Sequence, residues 1–256
     1  MTHPHSRSTA LVLLLLLAGS GASAGDRPLQ AGDYATAQGW GDLRLEPAGP
    51  AESLGFALET VSNEHVCSIV GQVDVASGIA LPEDTDAAPG YVLHLQATAN
   101  GVQVEPASPA AALACRHYCG SHGSYDGHYL AIPAACTWPA LQAAKAAARA
   151  AGTALQRRDA LATLIPLPGR CGATMSLEQR VDLHATLAGL HAANGNAPAC
   201  RAALADYATD AARSDEELTD GASPAWARAQ VAAMAQVRQA LAGCAVKPLV
   251  RPAHPG

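Results

Sequence analysis

Between Leu54 and Val104 apolar and polar residues alternate in short runs, the period of half-buried β-strands. Gly55 to Val61 mixes β-formers, and Ser62-Asn63 punctuates the run. Val66 to Val75 is rich in Val and Ile, with Cys67 and Ile69 on one parity and Val66 and Val70 on the other. Ser77-Gly78 turns the chain into a short strand, Ile79 to Leu81, and a polar loop covers Pro82 to Gly90. Tyr91, Leu93 and Leu95 share one face of the next run. Asn100-Gly101 marks a hairpin, because both positions tolerate positive φ, and Val102 to Val104 returns. About five strands are expected before Cys115, enough for a small antiparallel sheet.

Beyond Cys136 the period becomes helical. Thr137 can cap a helix that tolerates Pro139 in its first turn and stops near Gly152. A second helix, Leu155 to Ile165, ends before Pro166 and Pro168. Ser176 and Gln179 make a capping box for a helix to Ala193, with Leu183, Leu187 and Leu190 along one face. Ala199 to Ala212 reads as one helix, and Ser214 to Gly221 as a polar stretch. Ser223-Pro224 opens a last helix that closes at Gly243. The helix pairs recur at a spacing of about forty residues, weakly in the manner of tetratricopeptide hairpins. The expected fold class is α+β: a small antiparallel disulfide-stapled β domain followed by an all-α helical hairpin domain.

The flanks change the picture. Arg7, the apolar run Leu11 to Ala18 and Ala22-Ser23-Ala24 have the form of a cleavable export signal, too short to span a bilayer. The expected organisation is residues 1–24 as signal peptide, 25–50 as irregular lead-in, 51–136 as β-rich disulfide domain, 137–245 as helical domain and 246–256 as disordered tail. The expected location is periplasmic or secreted. The formal charge is -6, and Lys145 and Lys247 are the only lysines. A mildly acidic chain without a basic stripe excludes a nucleic-acid footprint and a polybasic membrane patch. Phe56 is the only phenylalanine, and alanine-rich cores bury little area. Disulfides compensate for thin cores in exported proteins.

Seven cysteines are present, so at least one thiol is left free or intermolecular. For the front half the expectation is Cys67 joined to Cys115 or Cys119, with the remaining one joined to Cys136. Cys171 and Cys200 flank the helix from Ser176 and are expected to pair. Cys244 is then the odd cysteine and a route to a disulfide-linked dimer.

The run from Cys115 to Tyr129, CRHYCGSHGSYDGHY, carries the densest chemistry. His122, Ser124, Tyr125, Asp126, His128 and Tyr129 form a candidate binding loop. Cys115, Cys119, His122 and His128 mix zinc's preferred ligand types, yet their spacing matches no standard element. Cys119 with His122 and His128 is the best candidate for a metal- or thiol-dependent hydrolase, the alternative to a non-enzymatic binding protein. Ser124 lacks the G-x-S-x-G context of a nucleophile elbow. No phosphate-binding or dinucleotide motif occurs, and no cofactor is expected.

Cys67-Ser68-Ile69-Val70-Gly71, the C-x3-C-G element at Cys115 to Gly120 and the D-G-x-Y turn at Asp126 to Tyr129 carry a resemblance. The chain resembles a group of uncharacterised exported proteobacterial proteins with a cysteine-containing helical tail, matched here by Cys171 and Cys200. The resemblance implies export and a disulfide framework, and no settled activity. The Gly123-Ser124-Tyr125 loop is also similar in kind to the loop that bacterial lysozyme inhibitors insert into that enzyme. The expected function is a non-enzymatic envelope protein that binds a protein or a cell-envelope component, with the central loop and the helical groove as candidate surfaces.

Overall fold

A computed structural model describes residues 27–49, 52–62, 65–84, 90–120 and 123–245. The expected signal peptide and C-terminal tail lie outside the described residues, as does His122.

The front half is a closed eight-stranded antiparallel barrel, each strand paired with its sequence neighbours and the last with the first. The strands are β1 (Gly32–Thr36), β2 (Gly41–Pro47), β3 (Ser53–Ser62), β4 (His65–Asp74), β5 (Ile79–Pro82), β6 (Leu93–Ala97), β7 (Gly101–Pro106) and β8 (Gly127–Ala131). This corrects the small sheet of about five strands followed by a helical hairpin domain. The supposed lead-in supplies β1 and β2, and the central run supplies β8. Closure leaves no strand edge exposed, which a five-stranded sheet would have had to protect by other means.

Alternation and register fill the barrel. Tyr34 lies opposite Leu43, Leu43 opposite Leu58, and Leu58 opposite Ile69, one inward belt across four strands. Leu54, Val73, Ala80 and Leu93 continue the lining. Val102 meets Tyr129, and Tyr129 meets Thr36 across the closing pair. All of these side chains are buried. Eight strands leave an interior that side chains alone can fill. Gly71 is required at one crossing: a Cβ there would overlap the Leu81 carbonyl and lie 2.7 Å from the Phe56 ring.

Two short helices, α1 (Pro109–Ala114) and α2 (Arg116–Cys119), connect β7 to β8. Ser108 caps α1 by accepting from the Ala111 N–H.

The second half contains α3 (Trp138–Arg149), α4 (Ala154–Leu164), α5 (Leu167–Cys171), α6 (Leu177–Ala193), α7 (Ala197–Ala202), α8 (Ala205–Ala211), α9 (Asp215–Thr219) and α10 (Pro224–Gly243). The helix expected over 199–212 is two helices, broken at Leu204, whose backbone is non-helical. The polar stretch contains α9, started by a capping box between Ser214 and Glu217. Helix α6 sits between two cores. Leu183, Leu187 and Leu190 pack with Leu141, Leu164 and Met175. Val181 and Ala188 pack with Leu204, Met234 and Val237. Among the described residues no helix is long and apolar enough to cross a membrane.

Three disulfides follow these three cores. Cys67–Cys119 ties β4 to α2, Cys136–Cys171 closes the first helical core, and Cys200–Cys244 closes the second. Cys67 does pair with one of its two expected partners. The expected bond from the central run to Cys136 is replaced by Cys136–Cys171, and the expected Cys171–Cys200 bond by Cys200–Cys244. Cys244 is bonded within the chain, which removes the thiol proposed for a dimer link. The free cysteine is the buried Cys115. The closed loops span 35 to 52 residues. On a chain-entropy treatment each bond stabilises by about 4 kcal/mol.

Candidate functional site

The central run folds inward. Helix α2 ends at Gly120, whose φ of 66° suits glycine. The chain re-enters the barrel through Ser124 and Tyr125, then forms β8. The Thr60 hydroxyl donates to the Ser124 carbonyl at 2.8 Å. The Tyr129 hydroxyl donates to the Tyr125 carbonyl at 2.9 Å. Tyr91, Tyr125 and Tyr129 are all buried, and the Tyr91 ring packs on Tyr118 and Tyr125. Burial raises the Tyr91, Tyr125 and Tyr129 phenols far above their ordinary range. Two members of the expected binding loop, Tyr125 and Tyr129, are therefore barrel core.

Other members point elsewhere. The Ser124 hydroxyl accepts from the Asp126 N–H at 3.0 Å, and Asp126 is exposed. The His128 Nε2 is 2.9 Å from the Thr98 hydroxyl, beside the β6–β7 turn. Cys119 holds its sulfur in the bond to Cys67. The thiol that the hydrolase reading requires, and one of the four candidate zinc ligands, is thus bonded elsewhere. Among the described residues no group of three or more His, Cys, Asp or Glu is placed to hold a metal.

A groove that sequence reasoning missed runs along the seam between the barrel wall and the start of α3. It encloses about 630 Å³. Antiparallel register puts Asp33 opposite Arg44, and Asp42 opposite Glu59, with Ser68 next across β4. Alternation turns all of these outward, because Leu43, Leu58 and Ile69 beside them turn inward. Trp138, Pro139 and Gln179 form the facing wall. The Trp138 side chain is 56% exposed, although the Lys145 ammonium lies 5.2 Å from its ring centre. Arg44 reaches Glu46 at 2.6 Å and Asp33 at 3.8 Å. Asp42 is exposed at the groove, yet desolvation there, then the charges of Glu59 and Asp33, push its carboxyl above the usual carboxylate range. The groove floor is thus short of positive charge. Ser68 sits between the outward residues Val66 and Val70, which are exposed, as are Val61 and Leu81 nearby. The acidic groove therefore borders an aliphatic strip on the barrel wall.

A second groove, of about 470 Å³, lies between α3, α6 and α10. Small residues, among them Ala148, Ala185 and Gly189, floor it, and Arg149, Arg157 and Gln239 rim it. Asp182 at its edge is already held by Lys145, by Arg149 at 2.9 Å and by Gln236 at 3.1 Å.

No family model matches the chain, and no curated protein or solved structure matches it.

Proposed function

We propose that this chain is a non-enzymatic periplasmic or secreted protein that binds a protein or a cell-envelope component through the seam groove. The observation that carries this reading is the exposed Trp138 facing three carboxylates, Asp33, Asp42 and Glu59, of which Arg44 pairs with Asp33 alone. An exposed indole offers a stacking face beside its own Lys145 ammonium, and the adjacent carboxylates attract a cationic group. The aliphatic strip at Val66 and Val70 extends the surface beyond what a small ligand covers. A partner with a basic and partly apolar face fits this combination. The narrower reading as a lysozyme-inhibitor-like protein, suggested by Gly123-Ser124-Tyr125, would need a basic surface on the enzyme to meet the same carboxylates. Three intramolecular disulfides suit an oxidising compartment.

The test is titration calorimetry of the oxidised protein against lysozyme and against solubilised peptidoglycan fragments, at low and physiological salt. Binding to one of them, weakened at least tenfold by Trp138→Ala and strengthened as salt falls, is the expected result. No binding to either, or binding indifferent to Trp138→Ala and Asp42→Asn, overturns the proposal.

A further inference from the structure

The barrel end beneath α2 holds three sulfurs in one buried compartment. Cys67 and Cys119 are bonded, and the Cys115 Sγ lies 3.5 Å from the Cys119 Sγ. Both cysteines of the helical segment face the same way, because the Cys119 N–H donates to the Cys115 carbonyl one turn back. The other four cysteines belong to the two helical cores and are bonded to each other there. We propose that Cys115, Cys119 and Cys67 form an internal disulfide-exchange site, in which Cys115 displaces Cys67 from Cys119.

The step balances without an external oxidant. The Cys115 thiol gives its proton to solvent, and the thiolate attacks the Cys119 Sγ along the line of the existing bond. The Cys115–Cys119 bond forms as the Cys119–Cys67 bond breaks. The electron pair leaves on the Cys67 Sγ, which takes up a proton. One disulfide and one thiol are present before and after. The two sulfurs already lie 3.5 Å apart, and Cα atoms one helical turn apart are about 6 Å apart, within the span of a disulfide; drawing the Cβ atoms together tightens that turn of α2.

The surroundings serve the reaction as well as the fold. The Tyr125 hydroxyl is buried without a hydrogen-bond partner among the described residues, an arrangement that costs stability. The Tyr91 hydroxyl and the Tyr125 N–H both face the Cys115 sulfur, where they favour its thiolate. Burial works against them and more strongly, and Asp126 adds to it, so the thiol rests protonated. Gly123 lets the backbone lie directly on the disulfide: a Cβ there would overlap the Cys67 Sγ and lie 2.7 Å from the Cys119 Cβ. The consequence is mechanical. A cross-link between β4 and α2, spanning 52 residues, becomes one within a single helical turn. Helix α2 then loses its covalent tie to β4 and keeps only its packing and the Tyr118 hydrogen bond to the Asp84 carbonyl.

The oxidised full chain, incubated at pH 8.5 with N-ethylmaleimide and then acid-quenched, is mapped by mass spectrometry without reduction. The expected result is label accumulating on Cys67 in molecules that carry a Cys115–Cys119 bond, and its loss in Cys115→Ser. Label confined to Cys115 with Cys67–Cys119 intact overturns the proposal. Label on Cys67 that persists in Cys115→Ser overturns it equally. A second variant does not depend on the rate of attack. Cys67→Ala, oxidised and then unfolded, is expected to titrate no free thiol, because Cys115 and Cys119 pair. Two thiols in that variant contradict the exchange.

Discussion

The buried ammonium of Lys145 on α3 is held by the Asp182 carboxylate of α6. Lys145 is 3% exposed, and Asp182 is the carboxylate that meets it there. The pair also fixes the start of α3, because Lys145 lies against the Trp138 ring. The acidic seam thus depends on a contact made in the helical half.

Removing one partner costs more than removing the charge. Asp182→Ala leaves Lys145 buried with no carboxylate and is expected to destabilise by about 3 kcal/mol. Lys145→Met leaves Asp182 its Arg149 and Gln236 contacts and is expected to cost under about 1 kcal/mol. Urea unfolding of both variants checks the order.

The same pair gives an acid limb. Burial pushes the Asp182 carboxyl up, but Lys145, Gln236 and Arg149 outweigh it, and the net direction is down. A depressed folded-state value stabilises above the unfolded value, about 3.9, and that stability is lost as pH falls through the folded one. Wild type is expected to lose stability between pH 4 and pH 2 more steeply than Asp182→Asn, in melts across that range.

Asp42 has the opposite sign. Its carboxyl is raised by desolvation, Glu59 and Asp33, so its contribution is present at low pH and lost as pH rises through the folded value. Asp42→Asn is expected to raise the melting temperature at pH 7 and leave it unchanged at pH 3. The same substitution is expected to weaken binding of a basic partner, which separates stability from function.

Two tyrosines of the barrel end should respond differently. Tyr129→Phe removes a buried hydrogen bond and orphans the Tyr125 carbonyl, at a cost of about 1–2 kcal/mol. Tyr125→Phe removes a hydroxyl that has no partner and is expected to be neutral or stabilising. Paired urea titrations measure the difference.

Local signals in the sequence were readable and long-range ones were not. The strands at Leu54 to Val75, the Asn100-Gly101 hairpin and the capping box at Ser176 each follow from a few adjacent residues. β1 and β2 lie in a stretch dense in Gly, Ala and Pro, although Leu43-Arg44-Leu45 alternates as a strand should. Barrel closure is the pairing of β1 with β8, almost a hundred residues apart, and no local pattern announces it. The cysteine partners depended on the same missing geometry. The seam groove was hidden for a related reason: Asp33, Asp42 and Glu59 come from three strands and meet only through their register. Tyr125 and Tyr129 read as a surface loop because glycine and serine surround them, yet strand alternation and the barrel end bury both.

Each half of the molecule is closed by its own disulfides. Disulfide mapping of the acid-quenched, unreduced protein tests this most directly. The predicted result is one thiol per chain, on Cys115, with Cys67 bonded to Cys119, Cys136 to Cys171 and Cys200 to Cys244. A bond from Cys115 or Cys119 to Cys136, or three or more free thiols, would contradict it.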